Sequence, residues 1–151
     1  MSALIEVKHL KKYFDVSSGS LHAVDDVSFS IQEGKTMGIV GESGCGKSTL
    51  GRTLIHLLES TDGQIFFQGR DITKVKNSEL KKLREQMQIV FQDPYSSLNP
   101  RMTVENVIQE PLKRSKKLSK EELSSETQRI MDVVGIEARL RLAYPHELDG
   151  G

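Results

Sequence analysis

A chain of 151 residues, 36% of them hydrophobic and 28% charged, is long enough for one ordinary domain and too apolar for wholesale disorder. Lysine plus arginine equals aspartate plus glutamate at 21 each, so no basic excess points to nucleic acid and no acidic excess to a cationic partner. The single cysteine excludes an internal disulfide and suits a reducing cytosol, no signal-like start is present, and no apolar run approaches the roughly 20 residues that span a bilayer, so a membrane link is expected only through a partner.

In chain order, residues 5–13 and 23–31 alternate apolar and polar positions, as half-buried strands do, with Ser17, Ser18 and Gly19 as the turn between them. Glu33-Gly34 breaks this pattern. Met37 to Val40 is then a short continuous apolar run, which predicts a strand buried on both faces in a parallel sheet. Leu50, Leu54, Leu57 and Leu58 recur at helical spacing and predict an amphipathic helix ending before Asp62-Gly63. Residues 64–68 read as a strand, 77–85 as a charged helix and 87–91 as a further apolar strand.

Beyond Phe91 the pattern turns helical. Asp93-Pro94, Ser96-Ser97 and Asn99-Pro100 mark a loop, and Val104, Val107 and Ile108 a helix. The basic run Lys113 to Lys120 reads as a solvated linker. Ser119-Lys120-Glu121-Glu122 fits a capping box, and Leu123, Ile130, Met131 and Val134 then share a helical face as far as Gly135. The sequence shows no internal repeat and no low-complexity tract.

Between the apolar run and the leucine-striped helix lies Gly41-Glu42-Ser43-Gly44-Cys45-Gly46-Lys47-Ser48, which fits G-x-x-x-x-G-K-[ST] in the strand–loop–helix setting that gives that pattern its meaning. Its glycines permit backbone conformations that turn successive N–H groups inward around a phosphate, while the following helix directs its positive end at the same place. Lys47 supplies a mobile positive charge for the β- and γ-phosphates, and Ser48 a hydroxyl for Mg²⁺, a cation that takes oxygen ligands. Cys45 reads as a small loop residue and not as a reactive thiol. A phosphate loop alone does not separate kinases, GTPases and transport ATPases. No Asn-Lys-x-Asp motif for guanine occurs, and Asp132-Val133-Val134-Gly135 is better explained as a helix end than as D-x-x-G.

Across almost its whole length the chain resembles the first half of an ATP-binding cassette (ABC) ATPase, specifically the ATPase subunits of bacterial oligopeptide, dipeptide and nickel importers. GESGCGKSTLGR looks like the Walker A segment, FQDPYSSLNP like the Q-loop and YPHEL like the run before the signature motif. The resemblance implies an α/β P-loop core with an antiparallel β subdomain over residues 1–91, a Q-loop over 92–102 and a partial α-helical subdomain over 103–151, with the C-terminal half of the core missing. It implies that residues 41–49, from Gly41 through Glu42, Ser43, Gly44, Cys45, Gly46, Lys47 and Ser48 to Thr49, hold ATP. Tyr13 would stack on adenine, although by itself a tyrosine at a strand end is as readily a packing residue. Gln92 would reach Mg²⁺ or the attacking water.

Leu148-Asp149-Gly150-Gly151 aligns with the family's Leu-Ser-Gly-Gly-Gln, which contacts ATP held by an opposite subunit. Asp149 stands in the serine position. A carboxylate there would repel the triphosphate by about 1 to 4 kcal/mol, or would serve as a helix N-cap; both readings stand. Walker B with its catalytic Glu and the switch histidine follow this point in the family, and His146 is no substitute, being part of the family's Pro-His-Glu run. Binding of Mg-ATP without useful hydrolysis is therefore expected of this chain. The open apolar edges left by the missing strands are expected to make it marginally stable. The resemblance further implies a second ATPase subunit, two permeases, an indirectly connected solute-binding protein, no nucleic acid, and a peripheral place on the cytoplasmic face of the inner membrane. The alternatives are a soluble ABC-type ATPase acting on nucleic acid or ribosomes, or a fragment without function of its own.

Overall fold

The structure, a computed structural model, describes residues 3–92, 97–115 and 118–148, the side chains of Asn77 and Ser115 excepted. The chain divides into two compact units, residues 1–88 and 89–151.

The first unit is built on two long strands, β1 (Ala3–Val16) and β2 (Gly19–Gln32), longer than the alternation alone predicts because the tight turn at Ser17-Ser18 lets pairing begin at once, with Val16 opposite Gly19. β3 (Asp62–Phe67) pairs antiparallel on the other edge of β1, and the short β4 (Arg70–Asp71) pairs with β3, giving the order β2-β1-β3-β4. One face of this sheet carries the core. Val7, Leu10, Val24 and Ile65 are buried there with Leu50 and Leu54 of α1 (Lys47–Leu54), together with Ile72 and with Leu83 of α2 (Asn77–Arg84). Burying each such side chain contributes about 1.5–3 kcal/mol, so this cluster is the main source of the unit's stability.

Gly63 is where β3 comes closest to β1. A Cβ placed on it would stand 2.4 Å from the carbonyl oxygen of His9 and 2.6 Å from the Cα of Leu10, and its φ is +88°. Nothing but glycine meets both conditions.

Two predicted strands are not formed. Residues 37–40 and 87–91 carry no strand, and Val40 and Val90 are 95% and 96% exposed. A strand exists only through ladder bonds to a neighbour, and neither segment has a strand partner among the described residues. Apart from Met87, which packs against the core, the apolar residues of these runs are thus largely solvent-facing. The leucine-striped helix also stops early, at Leu54, because His56 adopts φ +56° and turns Leu57 and Leu58 off the helical path.

In the second unit, α3 (Val104–Ser115) and α4 (Lys120–Val133) are followed by single 3₁₀ turns at Ala138–Leu140 and Pro145–Glu147. The expected capping box is present: the Glu122 amide donates to Ser119 Oγ at 3.2 Å and the Ser119 amide to Glu122 Oε2 at 2.8 Å. Gly135, at φ +74°, ends α4 as its position predicts, with the Ile136 amide donating back to the Met131 carbonyl at 2.9 Å. Val104, Leu123 and Met131 are buried within this unit.

Gly63→Ala is expected to lower the stability of the first unit by at least about 2 kcal/mol, since a strained φ and a clash with backbone add. Urea titration followed by circular dichroism checks this; an unchanged midpoint would show that β3 can retreat from β1 at no cost.

Candidate functional site

The hairpin register assembles the site. Counting back from the turn brings Tyr13 opposite His22, but the next pair is Lys12 with Val24, so Ala23 is left without a partner as a bulge residue. Its carbonyl is met by the phosphate-loop motif. A Cβ on Gly46 would lie 1.9 Å from the Ala23 oxygen and 3.1 Å from its carbon, and Gly46 caps α1 at φ +91°. Glycine is therefore required there twice over, and the contact sets the start of α1 beside the Tyr13–His22 rung.

The loop leads straight into α1, as the motif expects, but the strand expected before it is not formed. Lys47 and Ser48 open α1, whose first turn holds no acidic residue to compete for an anion. The Lys47 ammonium folds back over the loop, donating to the carbonyls of Gly41 at 2.8 Å and Glu42 at 2.5 Å, with Cys45 Sγ at 3.4 Å. Cys45 is exposed, and its Sγ would stand 2.7 Å from a Cβ on Gly41, so the loop closes against its own first glycine. Gly44, at φ +81°, makes the turn between. Ser48 is exposed and Thr49 half-buried, its carbonyl accepting from Thr53 Oγ1 at 2.8 Å.

Tyr13 is half-buried and held from three sides. Its amide donates to Thr61 Oγ1 at 2.9 Å, its hydroxyl to the Asp25 carboxylate, and its ring stacks on His22 with centroids 3.8 Å apart and planes 10° from parallel. The bond to Asp25 pushes the tyrosine up to about 12 and, from the other side, holds the Asp25 carboxyl below the usual carboxylate range. Both groups therefore keep their ordinary charge states near neutral pH. His22 and Asp25 were not legible as site residues by type or motif. The signal for His22 was the turn, which sets it opposite Tyr13 once Val16 is placed against Gly19; Asp25 follows only from the bulge at Ala23, which the count does not give.

Gln92 is exposed and belongs to the second unit. There, Leu148 lies in extended conformation just after the last 3₁₀ turn, whereas Asp149, Gly150 and Gly151 fall outside the described residues, as do Asp93 to Ser96 of the Q-loop run. The approach to Leu148 is fixed to α3. The carbonyls of Ala143 and Arg141 accept from the amides of Val104 and Glu105, both at 2.9 Å, satisfying N–H groups that a helix start leaves without partners. Arg141 adds a part-buried ion pair, with Nη2 at 2.6 Å and Nε at 3.0 Å from Glu105 Oε1, and donates to Ser124 Oγ of α4 at 2.8 Å.

A groove lined by His56, Asp62, Arg70, Asp71, Thr73 and Lys74 includes none of the predicted residues. No cluster of three His, Cys, Asp or Glu side chains suited to a metal occurs among the described residues, so Ser48 and Gln92 are the candidate metal ligands carried forward from the sequence.

Sheet, glycine-lined loop and helix together define a partial P-loop ATPase cassette. The chain belongs to the ABC transporter family, whose pattern matches residues 24–151. It is 46% identical to the "Oligopeptide transport ATP-binding protein OppF" of Bacillus subtilis (strain 168), over 98% of this chain and 49% of that protein. It is 44% identical to the "Oligopeptide transport ATP-binding protein AppF" of the same organism, over 98% and 47% respectively. The chain thus spans about half the length of the curated relatives it matches. Among solved structures it is similar, with a TM-score of 0.82 and 25% identity over 97% of this chain and 63% of the other, to the "Dimeric structure of a post-hydrolysis state of the ATP-binding cassette MJ0796 bound to ADP and Pi".

Two outcomes are expected from this geometry. Gly46→Ala forces α1 away from β2, so amide exchange at Leu50, Thr53 and Leu54 should accelerate by an order of magnitude or more, consistent with about 2 kcal/mol of strain and clash; unchanged protection would dismiss the Ala23 contact as a constraint. In a double-mutant cycle, Glu105→Gln and Arg141→Met should couple by about 1–2 kcal/mol, read from urea midpoints. Simple additivity would reduce the pair to a surface contact.

Proposed function

We propose that this chain carries the ATP-binding part of the ATPase subunit of a peptide-importing ABC transporter. The observation that carries the reading is Lys47 and Ser48 at the start of a helix whose N-terminal glycine is docked on the Ala23 carbonyl. The family and the oligopeptide-transport names of the relatives support the transporter assignment.

The residues fit the nucleotide. Gly44 has open space where a Cβ would stand, Gly46 lets α1 start against the Ala23 carbonyl, and amides at the positive end of α1 offer donors to a phosphate. Lys47 exchanges its bonds to Gly41 and Glu42 for the β- and γ-phosphates. Ser48 would hold Mg²⁺ by its hydroxyl and Tyr13 would offer its ring to adenine, while Gln92, in the second unit, is the residue proposed for the cation or the water. Bound Mg-ATP supplies the phosphoryl group whose transfer to water drives the transport cycle. Leu148, Asp149, Gly150 and Gly151 are the residues proposed for the nucleotide of a second ATPase subunit, where Asp149 would either repel the triphosphate or serve as a helix N-cap. The remaining partners are two permeases and, through them, a solute-binding protein, at the cytoplasmic face of the membrane; no helix among the described residues is long and apolar enough to cross one. Residues 1–91, 92–102 and 103–151 are the corresponding P-loop core with β subdomain, Q-loop and helical subdomain. For these 151 residues the proposed role is the binding of Mg-ATP.

Calorimetric titration with Mg-ATP tests the proposal: the chain should bind, and Lys47→Ala should weaken binding at least about a hundredfold, the loss of a charge-assisted contact to phosphate in a partly desolvated site. Equal heats for both would overturn it, and hydrolysis that vanishes in Lys47→Ala would overturn the expectation of binding alone.

A further inference from the structure

The Tyr13 ring has two faces, and one is already covered. His22 lies parallel to it at 3.8 Å, and Asp25 accepts from the Tyr13 hydroxyl while standing 3.6 Å from His22 Nδ1, so both rings share one carboxylate. The bulge at Ala23 immediately follows His22, which ties this stack to the backbone position that Gly46 meets. A tyrosine free to rotate about χ1 and χ2 loses that freedom when a base stacks on it; one pinned by a stacked ring and a hydroxyl anchor has lost it beforehand.

We propose that His22 is a positioning residue for nucleobase binding: it backs the Tyr13 ring so that the opposite face is presented, already oriented, to a purine. The inference deepens the nucleotide reading above and rests on it. His22 acts through Tyr13 and touches neither phosphate nor cation, so its effect belongs to the base alone. A flat aromatic ring at this position does the same work whether or not it carries a charge.

The test compares Mg-ATP with Mg-tripolyphosphate, which has the phosphates and no base, in calorimetric titrations of the 151-residue chain. His22→Ala should weaken Mg-ATP binding about three- to tenfold, the range of one aromatic stack, and leave tripolyphosphate within about twofold. His22→Phe should restore the wild-type ATP affinity. An unchanged ATP affinity in His22→Ala overturns the proposal, and so does an equal loss for both ligands, which would make His22 a fold residue. A wild-type chain that binds tripolyphosphate as tightly as ATP also overturns it while leaving the phosphate loop intact. A chain that binds neither overturns the nucleotide reading itself and the inference with it.

Discussion

The approach of Gly46 to the Ala23 carbonyl is the contact on which the first unit's site depends. It exists because β2 carries one residue more than β1 between the His22 and Val24 rungs, and because the motif places a residue without a side chain at the helix start. Remove either condition and α1 would stand a side chain's width from the sheet. Leu50 and Leu54 would then lose their place against Val7, Leu10 and Val24. A polar contact between backbones thereby decides how an apolar core closes, and core closure in turn fixes where Lys47 and Ser48 emerge.

In the second unit a comparable task falls to charge. The segment from Arg141 to Leu148 has little regular structure, only a single 3₁₀ turn, and is tethered by carbonyls that satisfy the start of α3 and by the Arg141–Glu105 pair. With both side chains about three-quarters covered, this pair is screened less than the exposed Arg70–Glu79 pair. Gln109 donates to the same Glu105 oxygen at 2.9 Å, so that one oxygen accepts three bonds from two residues.

The sequence made some of this legible and left the rest hidden for identifiable reasons. The capping box at Ser119 and the stop at Gly135 are local devices, each complete within a few residues, and each is found where its pattern puts it; the glycine motif is followed by its expected helix but not preceded by its expected strand. The strands expected at Met37–Val40 and Met87–Phe91 are not local: apolar content says that a segment could be buried between neighbours, and pairing says whether it is. The Tyr13–His22–Asp25 group lay between these extremes. Composition could not mark it; the two-residue turn and a count along the ladder mark the Tyr13–His22 pair, while Asp25 joins it only through the bulge at Ala23.

Lys47 gives the loop an unexpected property. By bonding to the carbonyls of Gly41 and Glu42, its ammonium closes a ring of main chain and side chain, so the lysine is at once the loop's counter-charge and its clasp. An anion entering this loop does not meet an idle cation; it must win the cation from two carbonyl dipoles. Selectivity follows from that competition. A singly charged anion offers little more than the carbonyls already do, whereas a polyphosphate offers several oxygens and more charge at once. In the proposed phosphate-binding role, the loop's own backbone thus competes with the ligand for its lysine.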